Sequence, residues 1–159
     1  MWTHLRIEIE KVRNEFSIGN NEFQQVGLND WKTIEEKIYK TFCQSINHNS
    51  KPVWLWEYFK LDSFSIAVEK PSYLYLDKLI EDDEKVWFFI SETVRESDKF
   101  WFYEGQVKAI QKIIRETGYG HELYLVSKKY EWLICINHHN VLFATGKIMP
   151  DKLKGIEVS

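Results

Sequence analysis

Cysteine and proline are scarce in this chain, and long runs of one charge are missing. Cys43 and Cys135 are the two cysteines in 159 residues. That is too few for a disulfide scaffold, so both are read as reduced thiols and the compartment as cytoplasmic. No Cys-x-x-Cys or His-Glu-x-x-His spacing occurs, so no metal site and no cofactor is expected. There is no Gly-x-Ser-x-Gly elbow, phosphate loop or dinucleotide fingerprint, which removes the most readable enzyme classes. The 21 Lys and Arg are outnumbered by 24 Asp and Glu, for a net charge of −3. Without a basic stripe, no nucleic-acid partner is expected. The longest like-charge run, Glu81 to Glu84, reads as a solvated loop. No apolar run approaches the roughly 20 residues that cross a bilayer. The start, "MWTHLRIEIEKVRNEF", lacks the apolar core of a signal peptide. Neither a membrane nor an export route is expected.

Rings are plentiful instead: seven Trp, eight Tyr and ten Phe. Trp2, Leu5, Ile9, Val12 and Phe16 are spaced as one stripe of an amphipathic helix that ends near Gly19. Trp31, Ile34, Ile38, Phe42 and Ile46 repeat the pattern, with Asp30 as the expected N-cap. Between them, 17–29 has no period; a loop of that length often has a function. After 48 the pattern changes to strands at 53–59, 64–69, 86–91, 100–104, 122–127, 132–137 and 141–146. In the first, Trp54, Trp56 and Tyr58 are expected on one face, because strand side chains alternate. Residues 72–80 read as a short helix with Ser72 near its N-cap. Residues 105–118 read as a longer one, with Val107, Ile110, Ile114 and Thr117 along one side, Ile113 beside them and Gly118 at positive φ after its end. The tail from Lys147 reads as polar and interrupted by Pro150.

This order predicts an α+β fold: N-terminal helices, then a mostly antiparallel aromatic-rich sheet with inserted helices. It is read as a single domain over 1–159, helical over 1–48, sheet over 53–146, with a polar C-terminal tail. The short links between the last strands require antiparallel hairpins.

The stretch "YEWLICINHHNVLFATG" holds a Trp, a Cys and adjacent histidines. A three-residue loop of His138, His139 and Asn140, with Asn140 left-handed, sets the register Asn137 with Val141, Cys135 with Phe143 and Trp132 with Gly146. The glycine then faces the largest ring. Four strand residues separate Cys135 from His139 by about 13 Å, too far for ligands of one zinc. The histidines therefore read as an exposed turn and Cys135 as a core thiol. His121 and Glu122 are adjacent and point to opposite faces of a strand. Glu104, just before a helix, reads as a charge complementing the dipole.

"SKKYEWLICINHHNVLFATG", with "KFWFYEG" and "AIQKII" upstream, resembles an uncharacterised family of small bacterial proteins of unknown function, over roughly the last two thirds of the chain. More loosely, two helices followed by a compact aromatic sheet are similar to SUKH-type toxin-immunity proteins, without a SUKH signature motif. The resemblance implies a cytoplasmic bacterial protein whose work is binding. The reading is a non-catalytic protein-binding module, immunity-like, with a toxin-like protein partner and no catalytic residue. Phe23, Trp54, Trp56, His138 and His139 are the expected contacts. The alternative is a small enzyme or ligand binder with a cleft near Glu104, His121 or His138, supported if two or more of these converge.

Overall fold

The computed structural model describes residues 2–44, 52, 54–118 and 122–156. Its frame is a seven-stranded antiparallel sheet. The strands are β1 (Phe23–Gln25), β2 (Ser63–Ala67), β3 (Lys85–Val94), β4 (Ser97–Gln106), β5 (Leu123–Ser127), β6 (Trp132–Ile136) and β7 (Val141–Gly146). Their order across the sheet is β1-β4-β3-β5-β6-β7-β2. The helices are α1 (His4–Glu15), α2 (Trp31–Phe42), α3 (Leu76–Leu79), α4 (Val107–Thr117) and α5 (Met149–Lys154). The fold is α+β.

Strand alternation sorts the central side chains into two cores. Phe88, Ile90, Tyr103, Leu125 and Ile134 face α1, α3, α4 and α5. Phe89, Phe102, Tyr124, Leu133 and Cys135 face α2 and the segment around Leu55. The continuous apolar runs of β5 and β6 follow from this, since both faces are covered. On the second face Phe89 lies between Tyr124 at 4.7 Å and Phe102 at 4.8 Å, both rings nearly parallel to it.

Several expectations are met. The β6–β7 register pairs Trp132 with Gly146 and Cys135 with Phe143. Asn140 has φ 60° and Gly118 φ 63°. Four others need correction. Residues 54–59 do not form a strand: Leu55–Glu57 is one 3-10 turn. A single antiparallel bridge, Phe59 with Cys43, and side chains of the sheet hold this segment instead of a ladder. The Leu55 N–H donates to Tyr124 Oη at 3.1 Å, and Trp56 Nε1 donates to Glu122 at 3.2 Å. The 17–29 segment contains β1, which pairs with Tyr103–Gly105 of β4. The 72–80 helix begins as a 3-10 turn, Ser72–Tyr75, with Pro71 at its cap position. The tail carries α5, where Pro150 lies in the first turn, a place where its missing N–H costs nothing. Asp30 stands at the N-cap of α2 without a capping hydrogen bond. Ile46 and Val53 lie outside the described residues.

No helix among the described residues is long and apolar enough to cross a membrane.

Candidate functional site

An aromatic-walled cleft lies beside β4. The β3–β4 hairpin turns through Arg95 and Glu96, both at positive φ as two-residue hairpins require. Val94 and Ser97 close it as a pair. In an antiparallel ladder every second residue exchanges both hydrogen bonds with a given neighbour. Ser97, Lys99 and Trp101 therefore bond to β3, and Asp98, Phe100 and Phe102 direct their N–H and C=O outward. The bonds to β1 agree: Val26 N–H donates to Phe102 O at 3.0 Å, and Gln106 N–H to Glu22 O at 2.8 Å. After Val26 the backbone leaves the sheet, and Asp30 N–H donates to Gly27 O to start α2. Among the described residues, no strand pairs with β4 at Asp98 and Phe100.

At this open edge lies a cleft of about 480 Å³. Val26, Leu28 and Trp31 line one wall, Phe100 and Phe102 the floor, and Trp101 the far side. Leu28 is 81% exposed, an apolar side chain held in water at the lip. The Trp31 and Phe102 rings stack at 6.2 Å. Trp101 is fixed from below: its Nε1 donates to buried Glu92 at 2.7 Å, and the same carboxylate accepts the Leu5 N–H of α1 at 3.0 Å. The Arg6 guanidinium lies between the Trp2 and Trp101 rings, 4.6 and 4.9 Å from their centroids. Burial pushes the neighbouring Tyr103 phenol up to about 12, although Arg6 pulls it down. Arg6, Lys99 and Trp101 thus stand on one side of the edge, and Trp31, Phe100 and Phe102, with Asp98 and Glu35, on the other.

The residues expected from sequence divide differently. Trp54, Trp56, His138 and His139 come together at the β6–β7 turn. The Trp54 ring lies 5.2 Å from His138 and 6.1 Å from Trp56, and the two imidazoles are 3.9 Å apart. Phe23 does not join them. It is fully buried against Tyr103 at 4.8 Å, so a partner cannot reach it without opening the core. Glu104 is engaged elsewhere, with Lys128 and Gln24 as hydrogen-bond partners. Burial raises its pKa, but these two bonds outweigh burial and hold the carboxyl below the usual carboxylate range. The strands between place Glu104 and His138 about 20 Å apart, so they share no cleft. His121 lies outside the described residues.

Sequence reading missed Glu122 as the partner of His138. Glu122 is 3% exposed and accepts from the His138 backbone N–H, His138 Nδ1 and Trp56 Nε1. Register alone does not give this contact: if Leu123 opposes Ile136, Glu122 opposes Asn137 and His138 would point to the other face, but β6 ends at Ile136 and the turn brings His138 back to Glu122. Neither cysteine is a poised nucleophile. Burial pushes the Cys43 thiol up to about 12 and raises the fully buried Cys135 well above its ordinary value. Among the described residues, no three His, Cys, Asp or Glu side chains converge as a metal site.

No curated protein and no solved structure matches this chain. One family model does, over residues 1–157, and its description is "Family of unknown function (DUF6756)". The match takes in the helical N-terminal part as well as the aromatic hairpins from which a family was read. The chain belongs to the DUF6756 family of unknown function.

Proposed function

We propose that this protein is a protein-binding module whose cleft beside β4 takes an extended segment of a partner. The observation that carries the reading is the coincidence of two features at one place. The Asp98 and Phe100 backbone groups face away from β3, and an aromatic-walled cleft adjoins them. Added strands gain affinity from main-chain hydrogen bonds and specificity from pockets for alternate side chains. A segment continuing the line of β1 puts the side chain opposite Phe100 among Leu28, Trp31 and Phe102. Its two neighbours then lie beside Lys99 and Trp101, on the other face. One large apolar residue flanked by acidic ones fits that pattern. The similarity to SUKH-type proteins supports a toxin-like protein as the partner, in the cytoplasm of a bacterium.

The test is a peptide-display selection on the folded protein, repeated on a Phe100→Asp variant. Enriched peptides are expected to share an apolar residue within an extended segment and to lose binding on the variant. N-methylation of the amides that face β4 should abolish binding, and methylation of the alternate amides should not. Peptides that bind the variant equally well, or that tolerate both methylation patterns, would sink the reading.

A further inference from the structure

At the opposite side of the sheet from the cleft, the β6–β7 turn is more tightly held than an exposed loop needs to be. Asn137 Oδ1 accepts the His139 and Val141 backbone N–H groups, each at 3.0 Å. Asn140 Oδ1 accepts the Ser72 N–H at 2.8 Å, and its Nδ2 donates to Val68 O and Lys70 O at 3.1 and 2.9 Å. Glu122 then fixes the His138 ring from inside the protein. With Nδ1 bonded to the carboxylate, the other imidazole nitrogen, Nε2, is left to face outward. A carboxylate behind an imidazole sets its tautomer and its ring orientation, as it does for metal-bound and catalytic histidines. Burying a carboxylate is costly unless its hydrogen bonds are met, and here all its bonds serve this turn and Trp56.

Beside the turn is a groove of about 320 Å³ between the end of α4 and the sheet. Ile114, Leu123 and Ile136 form its floor, and His138, Asn140 and Arg115 are on its rim. Among the described residues, no carboxylate lines it. Arg115 is exposed, and among the described residues its guanidinium has no ion pair. We propose that this groove binds a small amphipathic anion, with the anionic group between Arg115 and His138 and an apolar body over Ile114, Leu123 and Ile136. Guanidinium and imidazolium are the side chains that bind carboxylate and phosphate by charge-assisted hydrogen bonds. Carboxylate and phosphate ester share this chemistry, and the experiment separates them. The titratable and charged groups facing His138 are Glu122 behind it, His139 stacked on it and Arg115 across the groove.

The test uses benzenesulfonate, whose charge is fixed across the pH range, with chemical shifts of the His138 ring and the Arg115 side chain as the readout. Saturable shifts at both are expected. Arg115→Gln and His138→Gln are each expected to weaken binding roughly tenfold, the loss of one charge-assisted bond. Both substitutions are at exposed positions, and an unchanged amide spectrum elsewhere verifies the fold. Phenyl phosphate and phenylacetate, titrated in parallel, rank phosphate ester against carboxylate. The absence of saturable shifts, equal binding of benzylammonium, or variants that bind as the parent does would each overturn the site. None of these results touches the β4 cleft, which shares no residue with this groove.

Discussion

At the scale of residues, Gly146 shows how much a single position can decide. It lies at φ 99° opposite Trp132, and a Cβ there would stand 2.3 Å from the Glu131 carbonyl oxygen. Neither the backbone angle nor the space accepts a side chain. Gly146→Ala is expected to lower stability by about 2–3 kcal/mol in urea unfolding. An unchanged midpoint would contradict this hairpin geometry. Pairing of the glycine with the tryptophan was legible in sequence, because a three-residue turn fixes every later pair. Glu104 makes a different kind of prediction. Its pKa is lower in the folded chain than in the unfolded one, so its contribution to stability is present above the unfolded value. That contribution disappears as pH falls through the lowered folded value. In acid titrations of stability, Glu104→Gln should flatten this part of the curve, and a curve parallel to the parent's would contradict the Lys128 and Gln24 bonds. The cysteines give a third check. Cys43 and Cys135 are 6% and 0% exposed with raised pKa values, so neither should react with a thiol reagent at neutral pH before unfolding. Fast labelling of Cys135 would mean that the sheet opens at β6.

At the scale of elements, the sequence was readable where apolar spacing had one solution. The stripe Val107, Ile110, Ile113 and Ile114, closed by Gly118, gives α4 as observed. The reading failed where contacts with distant parts of the chain, not local pattern, set a segment's backbone. Residues 54–59 carry the alternating rings of a strand, yet Glu122 and Tyr124 of the neighbouring sheet hold them as a turn. It also fell short at the β3–β4 hairpin. The strands run on to Val94 and Ser97, but Arg95-Glu96 lacks the Asn-Gly or Asp-Gly signal of a two-residue turn. The missed β1 has three residues, too few for a period to show. Within β3, Phe89 links Tyr124 and Phe102 in one stack, so Phe89→Ala is expected to cost roughly 3–5 kcal/mol. A loss below about 1 kcal/mol in denaturant unfolding would show that the second core closes over the gap.

At the scale of the molecule, the sheet divides the rings between two cores, and among the described residues β4 is unpaired beyond the end of β1. Aromatic content foretold the cores, because Phe and Tyr bury large areas. It could not foretell the cleft, since exposure of Leu28 and Trp101 depends on where β1 stops along β4. The gathering of Trp54, Trp56, His138 and His139 was equally hidden, since it joins segments more than 80 residues apart in the chain. The central claim is that the β4 edge is open at Asp98 and Phe100. Residue-resolved amide hydrogen exchange tests it most directly. The Lys99 and Trp101 amides, bonded to β3, are expected to exchange slowly, and the Asp98 and Phe100 amides between them quickly. Slow exchange at all four would mean that the edge is already covered, and the proposed binding surface would be lost.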